Sequence, residues 1–196
     1  MLIKMYDLLT SKEKRFKKEK LDELGLKRVI FIPSDNSVIL DTDNKEELRR
    51  QISSAHSKKK KIIVQGSSEE INRIAADDKR VSMLLSPERK MGKDSLHVRN
   101  SGLNHVLCDL AAKNDVAIGI NFSHIRRLNG KDKALRLGKV MQNVMLCRKS
   151  GTPMVLASFG KKPVSAYDLR SFAFSIGMAT AQAKSSLEKA GEIFLQ

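Results

Sequence analysis

The 196-residue chain has no tryptophan, two tyrosines and seven phenylalanines. Most of the phenylalanines sit in apolar runs, so no row of exposed rings for stacking single-stranded bases is legible. Cysteine is nearly absent: Cys108 and Cys147 both fall in helical patterns, which argues against a structural disulfide and for a reducing compartment, the cytoplasm. The four histidines, His56, His97, His105 and His124, lie far apart. They form no HxH, HExxH or CxxC-linked set, so no metal site is written in the sequence. No apolar run approaches the roughly 18 residues of a membrane span, and the opening MLIKMYDLL is too short for a signal peptide. A glycine-rich phosphate loop is also missing, since Gly66-Ser67-Ser68 matches neither a P-loop nor a dinucleotide fingerprint. Ser158 ends a strand without GxSxG surroundings. Asp7 and Asp35 follow the first two strands, where turn and capping roles suit them better than paired acid chemistry. No catalytic residue, metal or cofactor is therefore assigned.

Positive charge is what the chain has in excess. Lysine and arginine outnumber aspartate and glutamate 37 to 22, giving a formal net charge of +15 and a pI of about 9.9. Such a balance points to a polyanionic partner. The hydrophobic fraction of 41% keeps the chain globular rather than a disordered basic tail. Its length fits one domain covering residues 1–196.

The clearest unit is SGLNHVLCDLAAKNDVAIGINF, residues 101–122. Leu103, Val106, Leu107, Leu110 and Ala111 have the spacing of one apolar helix face, with Asn100 or Ser101 as cap and Asn114 in the left-handed turn at the end. Val116 to Ile120 then form an apolar run suited to a strand covered on both faces. The theme repeats. Strands are expected over 2–6, 29–32, 62–64, 81–85 and 154–157. Helices are expected over 11–24, from an Asp43/Glu46 capping box to about 55, from Ser67/Glu70 through 76, over 132–149 with Gly151 as terminator, from Ser165/Asp168 to 177, and over 180–189. Val38 to Leu40 reads either as a short strand or as part of a connection. Residues 86–98 and 123–130 read as loops. In the 132–149 helix, Leu137, Met141, Val144 and Met145 share one face, and Arg136, Lys139 and Asn143 the opposite one. Strands alternating with helices imply an α/β fold with a parallel sheet, open or closed into a barrel.

The cations divide between the two ends of the strands. Lys27-Arg28, Lys58 to Lys61, Lys79-Arg80, Lys113 and Arg148-Lys149 lie where a helix ends and a strand begins, and there they offset the negative end of a helix dipole. Arg89-Lys90, Arg126-Arg127 and Lys161-Lys162 each follow a strand and precede a helix, where the dipole does not call for them. Loops beyond the C-terminal ends of parallel strands carry the functional sites of such folds. Three basic pairs there make a rim suited to phosphates. Arg99 extends it. Arg136 and Lys139 form either a second stripe or a solvated helix face, and His105 reads as a surface histidine or an RNA contact. The candidate RNA-binding residues are thus Arg89, Lys90, Arg99, His105, Arg126, Arg127, Arg136, Lys139, Lys161 and Lys162. Recognition through backbone charge and shape is the expected mode.

The chain resembles the archaeal and eukaryotic ribonuclease P protein component 3 family. The resemblance rests on SGLNHVLCDLAAKNDVAIGINF, ALRLGKVMQNVMLCRKSGTPMVLASF, and SIGM followed by QAKSSL, in that order and spacing. It implies a TIM-barrel-like parallel sheet surrounded by helices, related to metal-dependent phosphoesterases but lacking their working metal site. MYDLLT stands where those enzymes carry HxH. At 196 residues against the typical ~250, the barrel is expected to be reduced or imperfectly closed. The resemblance further implies a noncatalytic subunit that binds ribonuclease P RNA, pairs with a small ferredoxin-like protein subunit, and helps remove the 5′ leader of precursor tRNA. The chain departs from the family at Val164 and Ala166, where an Arg and a Pro are usual, and whether Lys161 and Lys162 replace that charge stays open. Two other readings remain: a barrel metal-dependent phosphoesterase, for which only Asp7, Asp35 and His124 are placed, and an RNA-binding assembly factor outside ribonuclease P.

Overall fold

The structure, a computed structural model, describes residues 5–10, 16–94 and 99–195. Among the described residues seven strands and eight helices follow in the order β1 (Tyr6–Leu9), α1 (Lys18–Glu23), β2 (Arg28–Phe31), β3 (Ser37–Leu40), α2 (Lys45–Ser57), β4 (Lys61–Gln65), α3 (Glu69–Asp77), β5 (Val81–Leu85), α4 (His105–Lys113), β6 (Ala117–Asn121), α5 (Phe122–Arg127), α6 (Gly130–Ser150), β7 (Met154–Ala157), α7 (Ala166–Ser175) and α8 (Thr180–Phe194). β3 to β7 form one five-stranded parallel sheet in sequence order, and β1 pairs in parallel with β2. The undecided segment 38–40 is a strand, β3, on the edge of the larger sheet.

Strand residues alternate between two buried layers, as the period of two requires. Tyr6, Leu8, Ile30, Ile32, Ile63, Met83, Leu85, Ala117, Val155 and Ala157 pack together on the inner face. Leu9, Val29, Ile62, Val64, Leu84, Ile118, Ile120, Met154 and Leu156 pack outward against the helices. That is why the strands read as unbroken apolar runs. Inside, small residues face large ones: a Cβ on Gly119 would lie 2.7 Å from Met83 Sδ. Ala190 of α8 joins this inner layer, and Gly191 lets the helix press onto the Tyr6 ring, where a Cβ would overlap Cε2.

The two sheets join along one edge and stay apart along the other. Beyond β7, Phe159 N–H donates to Leu8 O (2.8 Å) and Thr10 N–H to Gly160 O (2.9 Å), stitching β7 to β1. Between β2 and β3 there is only the Ser34–Ser37 turn, so the barrel is not closed. At the stitched edge Asp7 is neither a turn nor a cap residue, contrary to the sequence expectation. Its buried carboxylate accepts from Ser158 N (2.6 Å) and Val164 N (3.0 Å), holding the loop after β7 onto β1. Burial outweighs these bonds and lifts its pKa from 3.8 to about 6. An acid raised in the folded state contributes stability that is present below its unfolded pKa and lost as pH rises through the folded value. Asp7→Ala strands both N–H groups, and urea unfolding should show a loss of about 1–3 kcal/mol in acid, a penalty that shrinks as the pH rises from 3.8 to about 6 and is level above that.

Several local boundaries differ from the sequence reading. The first strand is Tyr6–Leu9 rather than 2–6, of which 2–4 lie outside the described residues, and helix α1 begins at Lys18, with 11–15 also outside them. The helix caps sit one or more residues downstream: Asn44 rather than Asp43, Ser68 rather than Ser67, and Asn104 rather than Asn100 or Ser101. Gly102 explains the last shift. Its positive φ of 79° and a carbonyl of Pro87 where a Cβ would lie keep 101–103 out of the helix. Helix α4 therefore buries Leu107, Cys108 and Ala111, leaving Val106 44% exposed. Asp115, not Asn114, takes the left-handed turn. Residues 122–127 form a helix, α5, capped by Asn121, and the last helix runs on to Phe194. Gly151 ends α6 in the left-handed conformation and Ser165 caps α7 through Asp168 N, as expected.

Candidate nucleic-acid interface

The segments that follow β5, β6 and β7 carry the predicted basic residues, but the fold uses them in two ways. One group is consumed in holding the long loop after β5. Arg89 makes a two-pronged ion pair with Asp41 (2.6 and 3.2 Å) and donates to Gly66 O, and Lys90 pairs with Asp43 at 2.5 Å. Asp43 is available because Asn44 has taken the cap, and Lys90 holds its carboxyl below the usual value. Arg99 donates to Gly138 O (3.0 Å) and lies 3.5 Å from Asp94.

Helix α6 supplies the rest of this scaffold. Its buried residues are Lys139, Val140, Asn143, Val144 and Cys147: of the predicted apolar face Val144 is buried and Leu137 packs against the core, but Met141 and Met145 are exposed, and Lys139 and Asn143 of the predicted polar face are buried instead. Lys139 is drawn inward by loop carbonyls: its ammonium donates to Met91 O (3.1 Å) and Gly92 O (2.7 Å). Arg136 donates to Arg89 O (2.8 Å) and contacts Glu88 at 3.4 Å. Glu88 is almost wholly buried, and desolvation raises its pKa against the pull of Arg136 and Lys139. These cations are therefore neither a solvated face nor a free stripe. Asn143 donates to Ser101 O, and Asn72 donates to Pro87 O and Gly102 O, fixing the other end of the loop. Sequence reasoning missed Glu88 and Asn72. The one available signal was a polar residue, Asn72, inside the apolar stripe of Ile71, Ala75 and Ala76.

The second group is exposed. Arg126 and Arg127 form the last turn of α5, where the dipole favours cations, rather than lying in the expected loop. Lys161 and Lys162 lie in the loop after β7, ahead of α7. Ser123 N donates to Ser158 O (2.9 Å) and Phe122 packs edge-on against Phe172 at 4.9 Å, so the two pairs project from adjoining segments. None of the four takes part in an ion pair among the described residues. His105 is exposed in the first turn of α4.

Between the 88–94 loop and helices α5 and α6 lies a cleft of about 780 Å³, lined among others by Lys93, His124, Lys131, Leu135 and Arg136. Partial burial and then the charges of Arg136, Arg127 and Arg89 push the His124 pKa down. The imidazole thus registers a positive potential at the C-terminal end of the sheet. Asp7 is turned to the β7 edge and Asp35 is exposed in the turn after β2, so neither joins His124 in a cluster. Among the described residues no three His, Cys, Asp or Glu side chains come together as a metal-binding set. No helix among them is long and apolar enough to cross a membrane.

The sequence profile of the RNase P subunit p30 family matches residues 36–196. The chain belongs to that family. Ribonuclease P protein component 3 of Methanosarcina mazei is 35% identical over 129 residues, covering 66% of this chain and 49% of that protein. The Methanothermobacter thermautotrophicus protein of the same name is 30% identical over 156 residues, covering 76% and 60%. The chain spans roughly half to three-fifths of the length of these curated relatives. A chain in the cryo-EM structure of archaeal ribonuclease P with mature tRNA superposes with a TM-score of 0.69 and 27% identity, over 96% of this chain and 80% of that one. The match covers β3 through α8, which are the elements that carry the loop scaffold and the exposed quartet.

Proposed function

We propose that this member of the p30 family is a noncatalytic RNA-binding subunit of ribonuclease P, assisting the catalytic RNA in removing the 5′ leader of precursor tRNA in the cytoplasm. Its partners are then ribonuclease P RNA, precursor tRNA in the assembled complex, and a small ferredoxin-like protein subunit. The observation that carries the reading is the exposed quartet Arg126, Arg127, Lys161 and Lys162, whose charges no internal carboxylate among the described residues uses. Arg89, Lys90, Arg99, Arg136 and Lys139 act behind it, by holding the loop that shapes the cleft, and His105 lies at the margin. Guanidinium and ammonium groups free to meet phosphates confer affinity that is independent of base sequence and sensitive to salt.

Precursor-tRNA cleavage by reconstituted ribonuclease P RNA and its other protein subunits, with and without this chain, tests the proposal. Stimulation is expected only in the reconstituted mixture. Cleavage or phosphoester hydrolysis by the chain alone would overturn the noncatalytic reading in favour of a barrel phosphoesterase. RNA binding without any effect on cleavage would place it outside ribonuclease P.

A further inference from the structure

Helix dipoles account for the cations at helix C-termini, but not for those within helices, among them three on α2 and α3. Arg49 and Arg50 lie in the first two turns of α2, and Arg73 in the middle of α3, away from the helix ends where a dipole acts. Arg49 and Arg73 line a groove of about 520 Å³ shared with Lys79 and Arg80 at the start of β5.

The groove is built. Arg80 bridges Asp78 (2.6 Å) and Ser53 Oγ of α2 (3.1 Å), and Asn114 donates to Ala76 O (3.1 Å) and Asp77 O (3.0 Å). Arg80 and Asp78 satisfy one another. Arg49, Arg73 and Lys79 remain exposed and outside every ion pair among the described residues, against the single carboxylate of Asp77. Lys58 and Lys59, just after α2, are exposed as well. No aromatic ring lines the groove, so it offers charge for a backbone and nothing for a base to stack on.

We propose that this groove is a second RNA site, taking the phosphate backbone of an RNA double helix. The inference rests on the RNA-binding reading above but concerns a different surface. The quartet lies over the C-terminal ends of β6 and β7, whereas the groove opens outside α2 and α3 and reaches the N-terminal end of β5. The two surfaces belong to opposite ends of the strands. The protein would then tether two RNA segments rather than bind one.

Binding of a short RNA duplex, followed by fluorescence anisotropy over a range of salt, tests this with three proteins: the wild-type chain, R49Q/R73Q/K79Q, and R49K/R73K. The expected result is two duplexes per wild-type chain and one for the triple glutamine variant. Its summed log-affinity against log-salt slope should be shallower by about 2–3, at roughly 0.7–0.9 for each phosphate no longer neutralised. The lysine variant should keep two duplexes. Thermal unfolding of all three should coincide, because the replaced side chains make no hydrogen bond or ion pair among the described residues. Unchanged stoichiometry and slope in the triple variant would overturn the groove proposal while leaving the quartet intact. No duplex binding by the wild-type chain at low salt would overturn the RNA reading itself. Displacement of duplex from the groove by polyglutamate at equal charge concentration would overturn RNA as its occupant in favour of an acidic protein.

Discussion

Replacing Arg136 with methionine is expected to destabilise the protein by about 3–5 kcal/mol, the cost of leaving a buried charge without its partner. The guanidinium touches Glu88 and donates to Arg89 O, and Glu88 is only 4% exposed. Methionine keeps most of the aliphatic packing, so the loss reports the charge rather than a cavity. Its pH dependence has a definite sign. Burial raises the Glu88 pKa, with Arg136 and Lys139 opposing the rise. A raised acid gives stability that is present in acid and lost as pH climbs through its folded value. Removing Arg136 raises that value further, so the penalty should be smallest in acid and grow toward neutrality. Urea unfolding of the variant at several pH values checks this, and a pH-independent penalty would contradict it. Adding Glu88→Gln to Arg136→Met removes the buried charge and should restore part of the loss. The loop after β5 should also become protease-sensitive, because Arg136 and Lys139 hold its carbonyls.

Converting Arg126, Arg127, Lys161 and Lys162 together to glutamine is expected to weaken binding to ribonuclease P RNA on the order of 100-fold at moderate salt and to flatten the salt dependence by roughly 3. The side chains are exposed and carry no internal ion pair among the described residues, so the melting temperature should hold. The Arg127 bond to Ser123 O lies within its own short helix and is replaceable by water. Lys27 and Arg28 provide the control. Lys27 lies 5.9 Å over the Tyr6 ring, and both sit at the start of β2, at the other end of the strands. Their conversion to glutamine should change binding little. Filter-binding titrations over a range of salt measure both. Equal losses from the two sets would mean that the protein binds RNA through net charge alone.

The strands were legible because both faces are buried and the apolar runs are therefore continuous; β5 and β7 match their sequence boundaries. Ser165 could be placed as a cap because its partner, Asp168 N, is three residues away. What the sequence hid depends on distant partners. Asp7 looked like a turn residue because its hydrogen-bond partners are 151 and 157 residues away. Lys139 looked solvated because the carbonyls that bury its ammonium lie 47 and 48 residues earlier. Val106 completed an apparent apolar face that the close approach of Gly102 to Pro87 displaces. The basic pairs show the same division. All three could be seen as charge at the strand ends. Only the fold reveals that Asp41 and Asp43 engage Arg89-Lys90 and leave Arg126-Arg127 and Lys161-Lys162 exposed.

Site-specific photo-cross-linking in the complex reconstituted with ribonuclease P RNA tests the central claim most directly. The reactive group is carried in turn at positions 126, 161 and 27 of otherwise wild-type protein. The account predicts RNA cross-links from 126 and 161 and none from 27. Cross-links from 27 with none from 126 or 161 would contradict it, and would move the RNA interface to the opposite end of the sheet.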